Sequence, residues 1–397
     1  MKNRYILFLI LGFDALLLLL KTNDLSISYY EASLLFGEFS VLQTLVTISI
    51  YFFGQNDFAL RLPMITLHVG STLLLYKISK NYLKVQRNRI WLILIFVLLP
   101  GIISSALIVN DAGLVIFGLF LFVYMYERYS KKVIYLLLSS YLLVSGGFIY
   151  LFLSLIPFSL YKKDKSFLIL NFILFVLSLL FFGIDAHGSP KGHLLDSIGI
   201  YAAIFTPIIF IYLFYVLYRR FLSKDFELLW FIASTALVFS LLLSFRQKVN
   251  IEYFAPYLML ALPLIAQTFE HSYRVRLNIF RKNYRLIFIL SLVLLLINSS
   301  LVFFNKYLYY VVDKPKKHFS YKMHIAKELA QELKSSNITC VSTNEKMSLR
   351  LSFYGVTKCS KYILSNEEIV DKNSTNVTIR YKNIPVYSAY VTKLNIN

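Results

Sequence analysis

The chain has 397 residues, 58% of them hydrophobic and only 16% charged, with a formal net charge of +20. Soluble domains carry about 25% charged residues, and the apolar residues here fall in blocks long enough to cross a hydrocarbon core of about 30 Å, which excludes a water-soluble fold for most of the sequence. The basic excess would suggest nucleic acid in a soluble protein, but these Lys and Arg lie mainly in short loops between apolar blocks, so membrane lipids and not nucleic acid are the expected partners.

The opening stretch MKNRYILFLILGFDALLLLLK is one long apolar run with no small-residue cleavage site behind it, so it reads as a retained first helix. Asp14 inside it has no sequence-adjacent partner and is expected to find a hydrogen bond within the bundle. Residues 24–57 combine an acidic, aromatic start with a moderately apolar stretch containing Gln and Thr, the composition of helices lying along a membrane surface. Apolar blocks then follow at 58–79, 90–109, 111–126, 133–145, 147–160, 166–183, 198–218, 228–245, 253–270 and 286–304, giving about eleven crossings with the first. Ser145-Gly146-Gly147 predicts a tight turn inside the long stretch 133–160.

With the N-terminus in the cytoplasm, the inner segments hold 21 Lys and Arg and the outer ones five, Lys21, Arg61, Lys191, Arg246 and Lys248. This asymmetry places the chain in the cytoplasmic (inner) membrane with its C-terminal part outside. The expected division is a transmembrane domain over 1–304, including the surface helices, and an extracytoplasmic α/β domain over 305–397. In the latter, a helix is predicted at 319–336, followed by strand-like ITCVS and VTIRY. Cys340 and Cys359 are the only cysteines; on an oxidising side they could pair, which the sequence leaves open. Asn373 stands in an acidic sequon, DKNST, of the kind that some bacterial N-glycosylation systems modify.

Ionisable residues near membrane depth are costly and usually have a role. The outer side gathers eight acids: Asp24, Glu31, Glu38, Asp57, Asp111, Asp185, Asp196 and Glu252. Asp111, in VNDAG, sits in a junction so short that it also suits the N-terminus of the next helix. Arg61, Arg246 and Lys248 read either as snorkelling anchors or as partners for a phosphate. His187, Lys191, His193 and Asp196 join the same face in IDAHGSPKGHLLD, but their spacing matches no strong zinc pattern, and no metal is expected.

Several phrases occur in a telling order: ISYYEASLLFGE in the first outer segment, then FFGQNDFALRLP, then VNDAGLVIFGLF, the Gly-containing hairpin LLVSGGFIY, and FRQKVNIEYFAPY. This order resembles the GT-C glycosyltransferases, in the branch holding the protein O-mannosyltransferases and the bacterial aminoarabinose lipid A transferases (family 39-like). The resemblance covers most of 1–270, and FGQNDFALRLP is its most specific piece. It implies a sugar transferase that takes its donor from a polyprenyl-phosphate carrier and delivers it to a lipid, glycan or protein acceptor on the outer face, with no cofactor. Carried over by position, Glu31 is the acid of the first loop and Asp111 the second acid. Arg61 lies close by, and with Arg246 and Lys248 it is expected to hold the donor phosphate. Tyr30, His187, Lys191 and His193 are candidate contacts to donor or acceptor. Relatives usually have Asp-Glu where this chain has Tyr30-Glu31, so either Glu31 or Asp24 does the work of the base, or activity is lost.

The chemistry suits these residue types: a carboxylate on the attacking side removes the acceptor proton, and cations stabilise the departing phosphate. A flippase or transporter of lipid-linked sugars would call for repeated halves, and no internal repeat is visible. A polysaccharide polymerase or ligase would favour a long central outer loop, whereas the longest outer loop here is the first. A non-catalytic scaffold remains as a third alternative, separable by substituting Glu31 and Asp111.

Overall fold

The computed structural model describes residues 2–183, 192–312, 314–365, 374–381 and 384–393, so His187, Lys191 and the Asn373 sequon lie outside the described residues. Helices follow the apolar blocks: α1 (Lys2–Thr22), α2 (Tyr29–Phe36), α3 (Val41–Phe53), α4 (Asp57–Tyr82), α5 (Gln86–Leu98), α6 (Pro100–Leu107), α7 (Asp111–Tyr126) and α8 (Lys131–Val144). They continue with α9 (Ile149–Lys162), α10 (Lys165–Phe182), α11 (Leu194–Phe205), α12 (Pro207–Ser223), α13 (Leu228–Ser244), α14 (Ala255–Met259), α15 (Leu262–Val275) and α16 (Asn278–Phe303).

Each of the eleven apolar blocks carries helix, yet not each as one straight span. Among the described residues, α1, α4, α10 and α16 are long and apolar enough to cross a bilayer alone, and up to seven spans result if each bent pair counts as one. The block 90–109 bends by 60° between α5 and α6, and 198–218 by 107° between α11 and α12. Both breaks have the same cause. Pro100 and Pro207 push the residue before them out of helical geometry, and Thr206 goes as far as φ 68°. The pair α2 and α3 meets at 89° in the segment expected along the membrane surface.

The helices belong to two units. The first comprises Met1–Leu16 and Met64–Ser299. Its core is strongly aromatic, with Phe96, Phe120, Phe122, Phe152, Tyr201 and Tyr257 all fully buried. Two polar pairings lie inside it: Asp14 finds His68 at 2.6 Å, and the Tyr257 hydroxyl donates to Gly147 O (2.6 Å) while accepting from Leu151 N (3.0 Å). The turn after α8 depends on close approach, since a Cβ on Gly147 would lie 2.6 Å from Val115.

The second unit comprises Leu17–Pro63 and Ser300–Asn397, so the segment with α2 and α3 belongs with the C-terminal residues. Here α17 (Ala326–Ser335) and α18 (Glu345–Phe353) pack with a three-stranded antiparallel sheet of β1 (Tyr362–Ser365), β2 (Ser374–Tyr381) and β3 (Ile384–Lys393), ordered β1-β3-β2. The core joins Ile325, Leu329 and Leu333 of one helix face to Val377, Ile379, Ala389 and Val391. The helix expected from 319 starts only at Ala326. Arg350 takes the His324 carbonyl (2.6 Å), and Ile325 at φ 83° blocks helical continuation upstream. Cys340 and Cys359 form a disulfide, with Cα atoms 5.4 Å apart.

Candidate functional site

In the second unit, Ser28 and Glu31 make a reciprocal capping box at the start of α2. The Glu31 carboxylate accepts from Ser28 N (2.8 Å), and the Ser28 hydroxyl accepts from Glu31 N (3.2 Å). At the start of α4, the Asn56 side chain accepts from Ala59 N (2.8 Å), which sets Asp57 in the first turn, where the helix dipole favours an acid. One turn on, at i+4, stands Arg61.

Arg61 is completely buried, and its guanidinium bridges the two acids, at 3.5 Å from Glu31 and 3.5 Å from Asp57. It also donates to Leu25 O (3.2 Å) and Ser26 O (3.1 Å). Asp57 receives the Tyr354 hydroxyl at 2.6 Å and the Lys327 ammonium at 2.8 Å. Two carboxylates and two cations therefore balance in a place where an unpaired charge would be very costly. Burial and the Asp57 charge raise the Tyr354 phenol, so it stays protonated and able to donate. That same hydroxyl accepts from Ile27 N (2.8 Å). Arg350 binds Ile27 O (2.8 Å) and the Ser26 hydroxyl (3.2 Å), which fixes the strand-like approach to α2.

A cavity of about 470 Å³ opens beside this cluster, lined by Asn23, Gln55, Asn56, Asp57, Gln331 and Tyr354 among others. Side-chain amides, a carboxylate and a phenol are groups that can hydrogen-bond the hydroxyls of a polar ligand. Glu31, by contrast, is fully buried at its capping position. Asp24 is exposed and pairs with Lys21 (3.3 Å), while Tyr30 is 69% exposed. The Arg61 fork, expected at a donor phosphate, is taken up inside the protein by carboxylates and carbonyls.

The remaining candidates belong to the first unit. Asp111 begins α7 and accepts from the Ser145 hydroxyl (3.1 Å) of the Gly-containing turn. Desolvation and, second, the neighbouring Asp111 carboxylate raise the Glu252 carboxyl. Arg246 and Lys248 are exposed in the segment after α13. His193 sits just before α11, 3.2 Å from Asp196. No group of three His, Cys, Asp or Glu among the described residues is placed to hold a metal.

Glu31 and Arg61 were singled out by sequence and meet in the fold. Asp57 carried a legible signal, four residues before Arg61 in FGQNDFALRLP, but Tyr354, Lys327 and Arg350 carried none, since they come from about 300 residues further along.

The fold of this helical chain has a counterpart among solved structures. The crystal structure of ArnT from Cupriavidus metallidurans in the apo state matches over 98% of this chain and 98% of its own, at 12% identity and a TM-score of 0.57. That likeness concerns the fold. No protein-family model matches the sequence, and no curated protein matches it either.

Proposed function

We propose that this protein is a membrane glycosyltransferase that moves a sugar from a polyprenyl-phosphate donor to an acceptor on the outer face of the cytoplasmic membrane. The reading is carried by the fold shared with ArnT from end to end, together with the Glu31–Arg61–Asp57 cluster in the segment where the resembling family keeps its first acid. About eleven crossings, a cytoplasmic N-terminus and an extracytoplasmic C-terminal domain complete the proposed arrangement, on the strength of the Lys and Arg asymmetry.

In the proposed reaction, the acceptor hydroxyl attacks the anomeric carbon as the bond to the carrier phosphate breaks. A carboxylate on the attacking side takes the hydroxyl proton. Two acids of the first loop can fill that role. Glu31 matches the family position, and Asp57 has the advantage of lining the 470 Å³ cavity. In either case Arg61 acts as a positioning residue, bridging the two carboxylates and fixing their places. Asp111, beside Glu252, is the second acid of the proposal, and Asp24 is the reserve base. Arg246 and Lys248, exposed and cationic, are assigned to the departing phosphate, with Tyr30, His187, Lys191 and His193 as further contacts.

The test is genetic and chemical. E31Q, D57N and D111N variants, made at wild-type abundance, are compared by mass analysis of lipid A, surface glycans and envelope proteins. A glycoform present with the wild-type gene and lost in D111N, and in one of E31Q and D57N, is expected. An unchanged glycan and lipid profile in all three variants and in the deletion strain would refute the enzyme.

A further inference from the structure

The first unit holds a second cavity, of about 670 Å³, between α5, α12, α15 and α16. The three helices that supply its charges grade their lining in the same sense. Along α5 it runs from Arg87 through Trp91 to Ile95; along α15, from Arg274 back through Ile265 to Leu262; along α16, from Arg285 through Phe288 and Leu292 to Leu295. Spacings of three and four residues keep the lining of α5 and of α16 each on one helix face. The result is an aliphatic interior, an aromatic collar and a cationic mouth.

The collar is well ordered. Phe288 packs against Trp91 (centroids 5.8 Å apart) and Phe269 (5.2 Å), and Phe269 stacks on Tyr284 at 4.8 Å. Aromatic rings at such a level are characteristic of the boundary between hydrocarbon and headgroups. At the mouth, Arg274 is paired with Glu270, and Arg285 donates to the Tyr273 hydroxyl (3.0 Å). Arg87 and Arg285 are exposed, so the mouth keeps a net positive charge. The segments that carry these cations, 77–89 and 274–285, each hold five Lys and Arg and lie on the side read as cytoplasmic.

We infer that this cavity is a binding site for an anionic phospholipid of the leaflet on the Lys- and Arg-rich side, with acyl chain against the aliphatic walls and phosphate at Arg87 and Arg285. The charge of the mouth selects an anion, and the apolar depth selects one with a hydrocarbon chain. Basic pockets between membrane helices on the cytoplasmic side recognise anionic headgroups in this way. The site is separate from the acids of the proposed transfer chemistry and does not depend on them.

The full-length protein in detergent, titrated with phosphatidylglycerol or phosphatidylcholine of identical chains and read by native mass spectrometry, tests this. Retention of phosphatidylglycerol over phosphatidylcholine by about thirtyfold is expected, dropping about fivefold in R285Q and to near parity in R87Q/R285Q. R87K/R285K should keep the preference, and I265W, which fills the cavity, should lose both lipids. Equal retention of the two lipids by the wild type, or an undiminished preference in a folded R87Q/R285Q, would overturn the assignment. So would displacement of phosphatidylglycerol by an equimolar polyprenyl phosphate, which would give the cavity to the carrier lipid.

Discussion

Removing Arg61 leaves the Glu31 and Asp57 carboxylates in place with their shared cation gone. Glu31 then keeps the Ser28 amide, Asp57 keeps Tyr354 and Lys327, and the carbonyls of Leu25 and Ser26 lose a donor. Breaking a buried ion pair from one side costs about 3–5 kcal/mol, because the surviving charge loses its countercharge away from water. Such a loss opens the segment around α2 locally, which hydrogen exchange can read directly. Tryptophan fluorescence would miss it, since Trp91 and Trp230 both belong to the other unit. In R61M, peptides covering 24–36 should exchange roughly a hundred- to four-thousandfold faster than in the wild type, from that cost at 1.4 kcal/mol per tenfold. Adding E31Q and D57N to R61M should restore part of the protection, because the stranded charges are then absent. An R61M protein with exchange within about threefold of wild type would refute the account of Arg61 as the electrostatic keystone of this cluster.

Tyr354→Phe removes the hydroxyl shared by Asp57 and Ile27 N, and should destabilise the second unit by about 1–3 kcal/mol, measured by the same exchange experiment on 24–36 and 345–356. His324, fully buried, is pulled down from 6.5 to about 3 by burial first and by Lys306, His318, Lys21 and Arg350 after it. The folded state binds fewer protons than the unfolded one below pH 6.5, so stability should fall as pH drops from there toward 3, by at most about 1.4 kcal/mol per pH unit. His324→Gln should flatten that limb in melting curves taken across the window. The Cys340–Cys359 bridge closes a separation of 19 residues, and its reduction or replacement by C340S/C359S should cost about 3 kcal/mol. Melting with and without reductant checks this, and the serine variant should show no response to reductant.

Much of the bundle was legible because hydropathy is additive along the chain: every apolar block became helix. What hydropathy does not encode is direction. Pro100 and Pro207 were visible as residues that break helices, yet within uniformly apolar blocks they were subsumed into single spans, and the structure bends by 60° and 107° there. The site divides in the same manner. Glu31 and Arg61 stood out by local phrasing, and so could Asp57 have done, at helical spacing from Arg61. Tyr354 and Arg350 lie in α18 and the residue after it, in a stretch whose own pattern reports only a short amphipathic helix. Their meaning arises from chain closure over long separations, which no window of sequence contains.

The bond from Tyr354 to Asp57 links residues 297 apart. At a synthesis rate of 5–20 residues per second, the acid waits about 15 to 60 seconds for that hydroxyl to be made. Throughout that interval Arg61, Glu31 and Asp57 already exist beside the first long helix with their cage incomplete, and solvent, headgroups or the insertion machinery must serve as temporary partners. A ribosome that stalls before codon 350 therefore releases a chain with most of its membrane helices and an unfinished charged cluster. The last hundred residues act as the seal of that cluster, through Lys327 and Tyr354.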